Sequence, residues 1–249
     1  MRKLESVVTP FNDVDVWEDW KGQIDFNVVG ATHATWHPEN LMTGHAWDAI
    51  TGGCLLHPGK AGNLLMLGLG GGTALRQLRH FLPEISMTAV EIDGEMIRLA
   101  RQYMDLDSLN VEVIHEDAFL FLENSPTKFD LIIDDLYRCG DYDVERPAMV
   151  NQTLLTRHAE HLKGSGTLIM NFVVGRGHHK MHRSAREAFL QGFQSVRTVR
   201  PPRSHNEVIV GTNSMLPLQG PGALQNYALK LTDPLDQKYW RELRNLKLR

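Results

Sequence analysis

The run Leu64-Leu65-Met66-Leu67-Gly68-Leu69-Gly70-Gly71-Gly72-Thr73 constrains this chain more than any other feature. Four apolar residues stop at glycines, and a segment with helical spacing comes next, with Leu75, Leu78 and Leu82 on one side. A buried strand that turns sharply into a helix has this pattern. Glycine permits the tight turn, and without a Cβ the backbone can approach a ligand closely. The start of the helix then presents unpaired N–H groups. A lone Gly-x-Gly-x-Gly is also found in plain structural turns, so its meaning depends on the residues at the ends of the later strands.

From Asn63 onward strands and helices alternate, which argues for a mostly parallel sheet covered on both faces. The pattern places strands at Asn63–Leu67, 86–90, Val111–His115, 129–133 and 167–173. It places helices at Thr73–Phe81, Gly94–Tyr103, 118–123, 149–162 and His179–Gly192, with a turn at Gly164-Ser165-Gly166. Ser195–Arg200 and 208–212 form a late pair, close in sequence and therefore antiparallel. Residues 1–60 differ in character. They hold Trp17, Trp20, Trp36 and Trp47 together with His33, His37, His45 and His57. Strands at 23–29 and Ala31–Trp36 and a helix near 44–50 make this a small β appendage. It either packs against the main domain or lies over the site as a lid. Residues 61–213 form the main domain. Residues 214–249 are an extension ending in an amphipathic segment at 239–248.

The strand ends carry acids in a consistent order. Val90-Glu91-Ile92-Asp93 lies roughly 20 residues after the glycines, the spacing of a carboxylate that accepts ribose hydroxyls. Glu91 is the better placed, because Asp93 lies beyond the strand and can cap the next helix. Asp117, in Glu116-Asp117-Ala118, is placed to accept from an adenine amino group, with the Ala118 N–H free for a ring nitrogen. Asp117 can equally cap its own helix. Asp134-Asp135-Leu136-Tyr137 ends the fourth strand, and Asn171 ends the fifth. Strand C-termini line the ligand crevice in open α/β sheets. The expected nucleoside site is therefore Gly68, Gly70, Gly72, Glu91, Asp117, Ala118 and Asp135. NAD fits less well. The third glycine position falls on Thr73, and the acids recurring after strands three and four suit adenosine with an amino-acid tail better than a pyrophosphate.

These residues, with Phe129-Asp130-Leu131-Ile132-Ile133-Asp134-Asp135, His57-Pro58, Leu162–Thr167 and 206–211, resemble the spermidine synthase-like branch of class I S-adenosylmethionine-dependent enzymes. The resemblance covers roughly residues 45–212. It implies a Rossmann-like methyltransferase fold, with a mostly parallel sheet and an antiparallel C-terminal hairpin, beside the small N-terminal β appendage. It implies that Glu91 holds the ribose, that Asp117 holds the adenine and that Asp135 lies beside the sulfonium. It also suggests a homodimer. Three departures stand out. Polyamine synthases carry an Asp where this chain has Gly70, an acid where it has Arg138, and a Tyr-His-Glu run where it has Thr51-Gly52-Gly53. Those groups bind or deprotonate cationic amines. Their replacement points to intact S-adenosylmethionine rather than the decarboxylated form, and to methyl transfer to a small-molecule acceptor. Asp135 or an N-terminal His would be the base, and Tyr137 a catalytic aromatic beside the sulfonium. Arg138 could hold an acceptor carboxylate. The alternatives are aminopropyl transfer, cyclisation of the cofactor, and a nucleotide-binding protein without activity.

Composition narrows the rest. The chain has 249 residues, 42% of them apolar, a length that suits one large α/β domain with an appendage. A formal net charge of −4 with scattered Lys and Arg gives no stripe for nucleic acid. No apolar run is long enough to span a membrane, and two cysteines, Cys54 and Cys139, suit a cytoplasmic setting. His178 and His182 are four apart, but no further ligand has metal-site spacing, so no metal is expected.

Overall fold

A computed structural model describes residues 1–249 except Asn12, Val29, Asp141 and Tyr142. The chain opens with a four-stranded antiparallel sheet, β1 (Arg2–Val8), β2 (Asp13–Glu18), β3 (Ile24–Val28) and β4 (Ala31–Trp36), in that spatial order. The sequence reading does not place β1 and β2, although Asp13-Val14-Asp15-Val16 of β2 alternates polar and apolar with both valines buried. The last position of the strand expected at 23–29, Val29, lies outside the described residues. Helix α1 (Ala46–Cys54) then leads into the main sheet.

That sheet alternates β5 (Asn63–Leu67), α2 (Thr73–Phe81), β6 (Ser86–Glu91), α3 (Gly94–Tyr103), β7 (Val111–His115), α4 (Ala118–Asn124) and β8 (Phe129–Asp134). A two-stranded hairpin, β9 (Arg138–Cys139) and β10 (Val144–Glu145), comes next. Then come α5 (Gln152–Glu160), β11 (Leu162–Val173), α6 (His179–Gly192), β12 (Ser195–Arg200) and β13 (Asn206–Thr212). The chain finishes with α7 (Pro221–Ala228), α8 (Pro234–Arg241) and β14 (Arg244–Lys247). The spatial order is β14-β12-β13-β11-β8-β5-β6-β7. Pairings from β11 through β7 are parallel, and β13, β12 and β14 are antiparallel to their neighbours.

The apolar run of β5 is buried on both faces. Leu64 and Met66 join one core layer with α1, α2 and α3, while Leu65 and Leu67 join the other with α4, α5 and α6. This explains why the run shows no alternation. β5 lies between β6 and β8, so the chain order reverses there and a crevice opens at the strand C-termini.

Three local expectations are corrected. The helix expected at 149–162 spans Gln152–Glu160. Asn151 caps it, accepting the Leu154 N–H at 3.0 Å, and Leu162 already pairs with Phe129. Gly164-Ser165-Gly166 lies within β11, where the register with β8 shifts between Leu162 and Thr167. The segment 239–248 is the end of α8 followed by β14, which pairs with β12 and extends the main sheet.

Candidate active site

The glycine turn takes the backbone shape its composition permits. Gly68, Gly70 and Gly72 have φ of +84°, +52° and +78°. At Gly68 the requirement is also spatial, since a Cβ would stand 2.8 Å from the Asp135 carbonyl oxygen. β5 and β8 end side by side, Leu67 opposite Asp134, which brings the turn against Asp135. The third wall comes from the N-terminal sheet. A Cβ on Gly71 would meet the Ala34 Cβ at 2.4 Å, and one on Gly70 would lie 3.3 Å from the His33 carbonyl oxygen. Thr73 fastens β4 there, donating its hydroxyl to the Thr35 carbonyl at 2.9 Å and accepting the Thr35 N–H at 3.1 Å.

Glu91 ends β6 and reaches back to the turn. Its Oε2 accepts the N–H groups of Leu69 at 3.0 Å and Gly70 at 3.1 Å, and Oε1 accepts that of Asp93 at 3.0 Å. Burial pushes this carboxyl up, against the pull of the three backbone bonds. Oε1 accepts only one bond from the protein and retains a lone pair for a hydroxyl donor. Asp93 caps α3, accepting from Glu95 and Met96. Asp117 caps α4 through Oδ1, which accepts from Phe119 at 2.8 Å and Leu120 at 3.1 Å. Neither bond uses its second oxygen. Asp117 and Ala118 both line the cavity.

Asp135 is held by Asn171, whose Nδ2 donates to Oδ1 at 2.9 Å, and Asn171 is steadied in turn by Asn206 at 3.1 Å. Burial pushes the Asp135 carboxyl up. The Tyr137 hydroxyl is committed to β11. It donates to the Asn171 carbonyl and accepts the Val173 N–H, both at 3.0 Å, and burial pushes it to about 12. What Tyr137 offers a ligand is its ring. Arg138 pairs with Glu145 across the β9–β10 hairpin at 2.8 Å.

The cavity these residues enclose measures about 510 Å³. Gly68, Gly70, Glu91, Asp117, Ala118, Asp135 and Tyr137 all line it, while Gly72 stands behind the turn as the N-cap of α2. His33, His45, Trp47 and His205 also line it, together with Asp143 of the hairpin. Elsewhere, His57 bonds Thr167 at 2.8 Å and His37 accepts the N–H groups of Glu39 and Asn40. His178 pairs with Asp143 and His182 with Glu207.

Sequence reasoning misses Arg146 and His158. Both are buried around Asp134, Arg146 ion-paired to one carboxylate oxygen and His158 bonded to the other at 2.9 Å. Their charges hold the Asp134 carboxyl well below the usual range against the cost of burial. A single Arg in an irregular loop carries no periodic signal that could mark it.

Comparison with known proteins decides the family. Residues 48–172, about half of the chain, match the model of the spermine/spermidine synthase domain. The chain belongs to that family. A probable polyamine aminopropyl transferase from Bifidobacterium longum is 30% identical over 146 residues, covering 58% of this chain and 31% of the relative. The chain thus spans about a third of that relative's length. A polyamine aminopropyltransferase from Neisseria meningitidis is 25% identical over 214 residues, covering 85% of this chain and 79% of the relative. A probable spermidine synthase from Corynebacterium glutamicum superposes with a TM-score of 0.71 at 17% identity, over 91% of this chain and 86% of that one, which supports the fold.

Membership overturns the expectation of methyl transfer, since these spermidine synthase relatives are named for aminopropyl transfer. The geometry supplies the physical reason. Arg138 is not a charge set to repel an amine, because Glu145 neutralises it. The site is not short of acids either, because Asp143 enters the cavity from the hairpin. No helix among the described residues is long and apolar enough to cross a membrane.

Proposed function

We propose that this chain is an aminopropyltransferase that moves the aminopropyl group of decarboxylated S-adenosylmethionine to an amine of a small polyamine acceptor. The observation that carries this reading is the charge of the cavity. Among the described residues, Glu91, Asp117, Asp135 and Asp143 line it against a single guanidinium, Arg138, which is ion-paired to Glu145. Burial lowers His33 and His45, leaving both imidazoles neutral at neutral pH. Such a wall favours a ligand that brings positive charge.

The chain's own contributions are binding and proton handling. The Gly68–Gly72 turn and the free oxygens of Glu91 and Asp117 suit a ribose and an adenine. The bound nucleoside supplies a carbon made electrophilic by its sulfonium. Asp135 and the Tyr137 ring stand where that positive centre would lie, and Asp135 would accept the proton released by the attacking amine. Asp143, whose Oδ2 pairs with His178, would exchange that contact for a second ammonium of the acceptor at the hairpin wall.

Incubation with decarboxylated S-adenosylmethionine and a set of diamines, followed by mass spectrometry, tests this directly. Methylthioadenosine and an acceptor heavier by one aminopropyl group are expected. Absence of methylthioadenosine with every diamine would overturn the reading.

A further inference from the structure

Asp134 and Asp135 are consecutive, yet they serve opposite environments. Asp134 is fully buried beneath the site, whereas Asp135 faces the cavity. Arg146, buried after the β9–β10 hairpin, acts on both: it pairs with Asp134 and its charge reaches Asp135. Its Nη2 pairs with Asp134, its Nη1 donates to the Asn171 carbonyl at 3.0 Å, and its Nε has no hydrogen-bond partner among the described residues. The guanidinium lies over the Tyr137 ring at 5.4 Å and the Phe172 ring at 5.2 Å. On the far side of Asp134, His158 places Nε2 against the carboxylate and Nδ1 against the Leu154 carbonyl at 2.8 Å.

A guanidinium without access to water is costly unless its surroundings need its charge. Asp134 alone would balance it, but then the contacts to the Asn171 carbonyl and the Tyr137 ring would be incidental. They are instead the two groups that frame Asp135. Asn171 holds the Asp135 carboxylate through its side chain while its carbonyl accepts from both Arg146 and Tyr137. We propose that Arg146 is a positioning residue for Asp135: it fixes the Asn171–Tyr137 frame from below and supplies the positive charge that offsets the desolvation of the Asp135 carboxylate. Asp134 anchors Arg146 and opposes that charge in part.

The groups that face Asp135 are Asp134 and Tyr137 from its own strand end, Asn171 from β11 and Arg146 from the loop after β10. Burial raises its carboxyl, and Asp134 adds to this in a small way. Asn171 and Arg146 pull it down. Two substitutions should therefore move it in opposite directions. Arg146→Met removes the cation and leaves Asp134, so the Asp135 carboxyl should titrate higher, by about one pH unit. Asp134→Asn keeps an oxygen for Arg146 but removes the opposing charge, so Asp135 should titrate lower.

The role assigned to Arg146 rests on Asp135 being the proton acceptor of the proposed reaction, so the first readout is independent of activity. A carboxyl 13C NMR titration, with Asp135 assigned from the signal lost in Asp135→Asn, is run on the wild type and both variants. Upward movement in Arg146→Met and downward movement in Asp134→Asn, with Arg146→Lys near the wild type, is the expected result. The acid limb of kcat/KM should follow the same directions, with kcat of Arg146→Met lowered about tenfold and methylthioadenosine affinity within twofold. If both variants shift the same way, or neither shifts, the assignment fails. Should Arg146→Met not fold, Arg146→Lys and Asp134→Asn decide it, because an unmoved titration in Asp134→Asn also overturns the proposal. Inactivity of the wild type would instead sink the aminopropyl reading while the titration still judged Arg146.

Discussion

Gly68 is the residue whose identity the structure leaves least freedom to change. Its φ of +84° is costly for any side chain, and a Cβ would stand 2.8 Å from a backbone oxygen that has nowhere to retreat. Gly68→Ala should cost about 1–3 kcal/mol of stability, read by urea denaturation, and should weaken methylthioadenosine binding in calorimetry because the turn must move. Asp135 makes a second prediction at this scale. Burial raises its folded carboxyl, so kcat/KM should fall as pH drops through that raised value, before an ordinary aspartate at about 3.9 would protonate. Asp135→Asn should abolish that limb and lower kcat by roughly 10²–10⁴-fold, with nucleoside affinity little changed. Retention of the limb in the variant would assign the proton to another group. Glu91, Asp117 and Asp135 are legible in the sequence because each ends a strand or follows one within two residues. Asn171, near the end of the fifth strand, is legible on the same ground, whereas Arg146 and His158 cannot be joined to them there, since they meet Asp134 only once the loop after β10 and α5 have folded back, and no local pattern records that meeting.

Among elements, β4 does more than complete the N-terminal sheet. It lies across the glycine turn, held by the two Thr73–Thr35 bonds, and so makes the small N-terminal sheet part of the cavity wall. Thr73→Val keeps the shape but strands a buried N–H and carbonyl of Thr35, a loss of about 1–3 kcal/mol. Amide exchange should accelerate first in β4, and unchanged protection there would show that packing alone holds the strand. The long helices and the β5–β8 strands are legible because their periodicity is strong and their ends are punctuated by glycines or capping acids. β14 is not, because Arg244-Asn245-Leu246-Lys247 is mostly polar and becomes a strand only by pairing with the edge of β12. The same holds for the hairpin β9–β10, whose pairing across Arg138 and Glu145 reverses what Arg138 means when read alone.

In the molecule as a whole, the last three elements act as a strap behind the site. Trp240 of α8 is fully buried, its ring tilted 34° to that of Phe81 of α2 with centroids 4.9 Å apart, and its indole N–H is donated to the Leu224 carbonyl of α7 at 2.7 Å. Four residues earlier, Asp236 accepts the N–H groups of Leu41 and Met42, in the segment that runs from β4 to α1. That segment leads directly to His45, Ala46 and Trp47 on the cavity wall. The strap therefore couples the far face of the main domain to the His45–Trp47 part of the cavity wall. Trp240→Ala should cost about 3–5 kcal/mol, mostly through the cavity it leaves, and Asp236→Ala about 1–3 kcal/mol through two stranded N–H groups. Asp236→Ala loosens only the β4–α1 segment, whereas Glu91 stays bonded to the glycine turn and Asp117 to the first turn of α4. Its KM should accordingly rise several-fold for the amine acceptor and remain near the wild type for the nucleoside, measured at a temperature where both proteins are folded. Equal rises in the two constants would mean that the strap stabilises the whole cavity rather than its acceptor end.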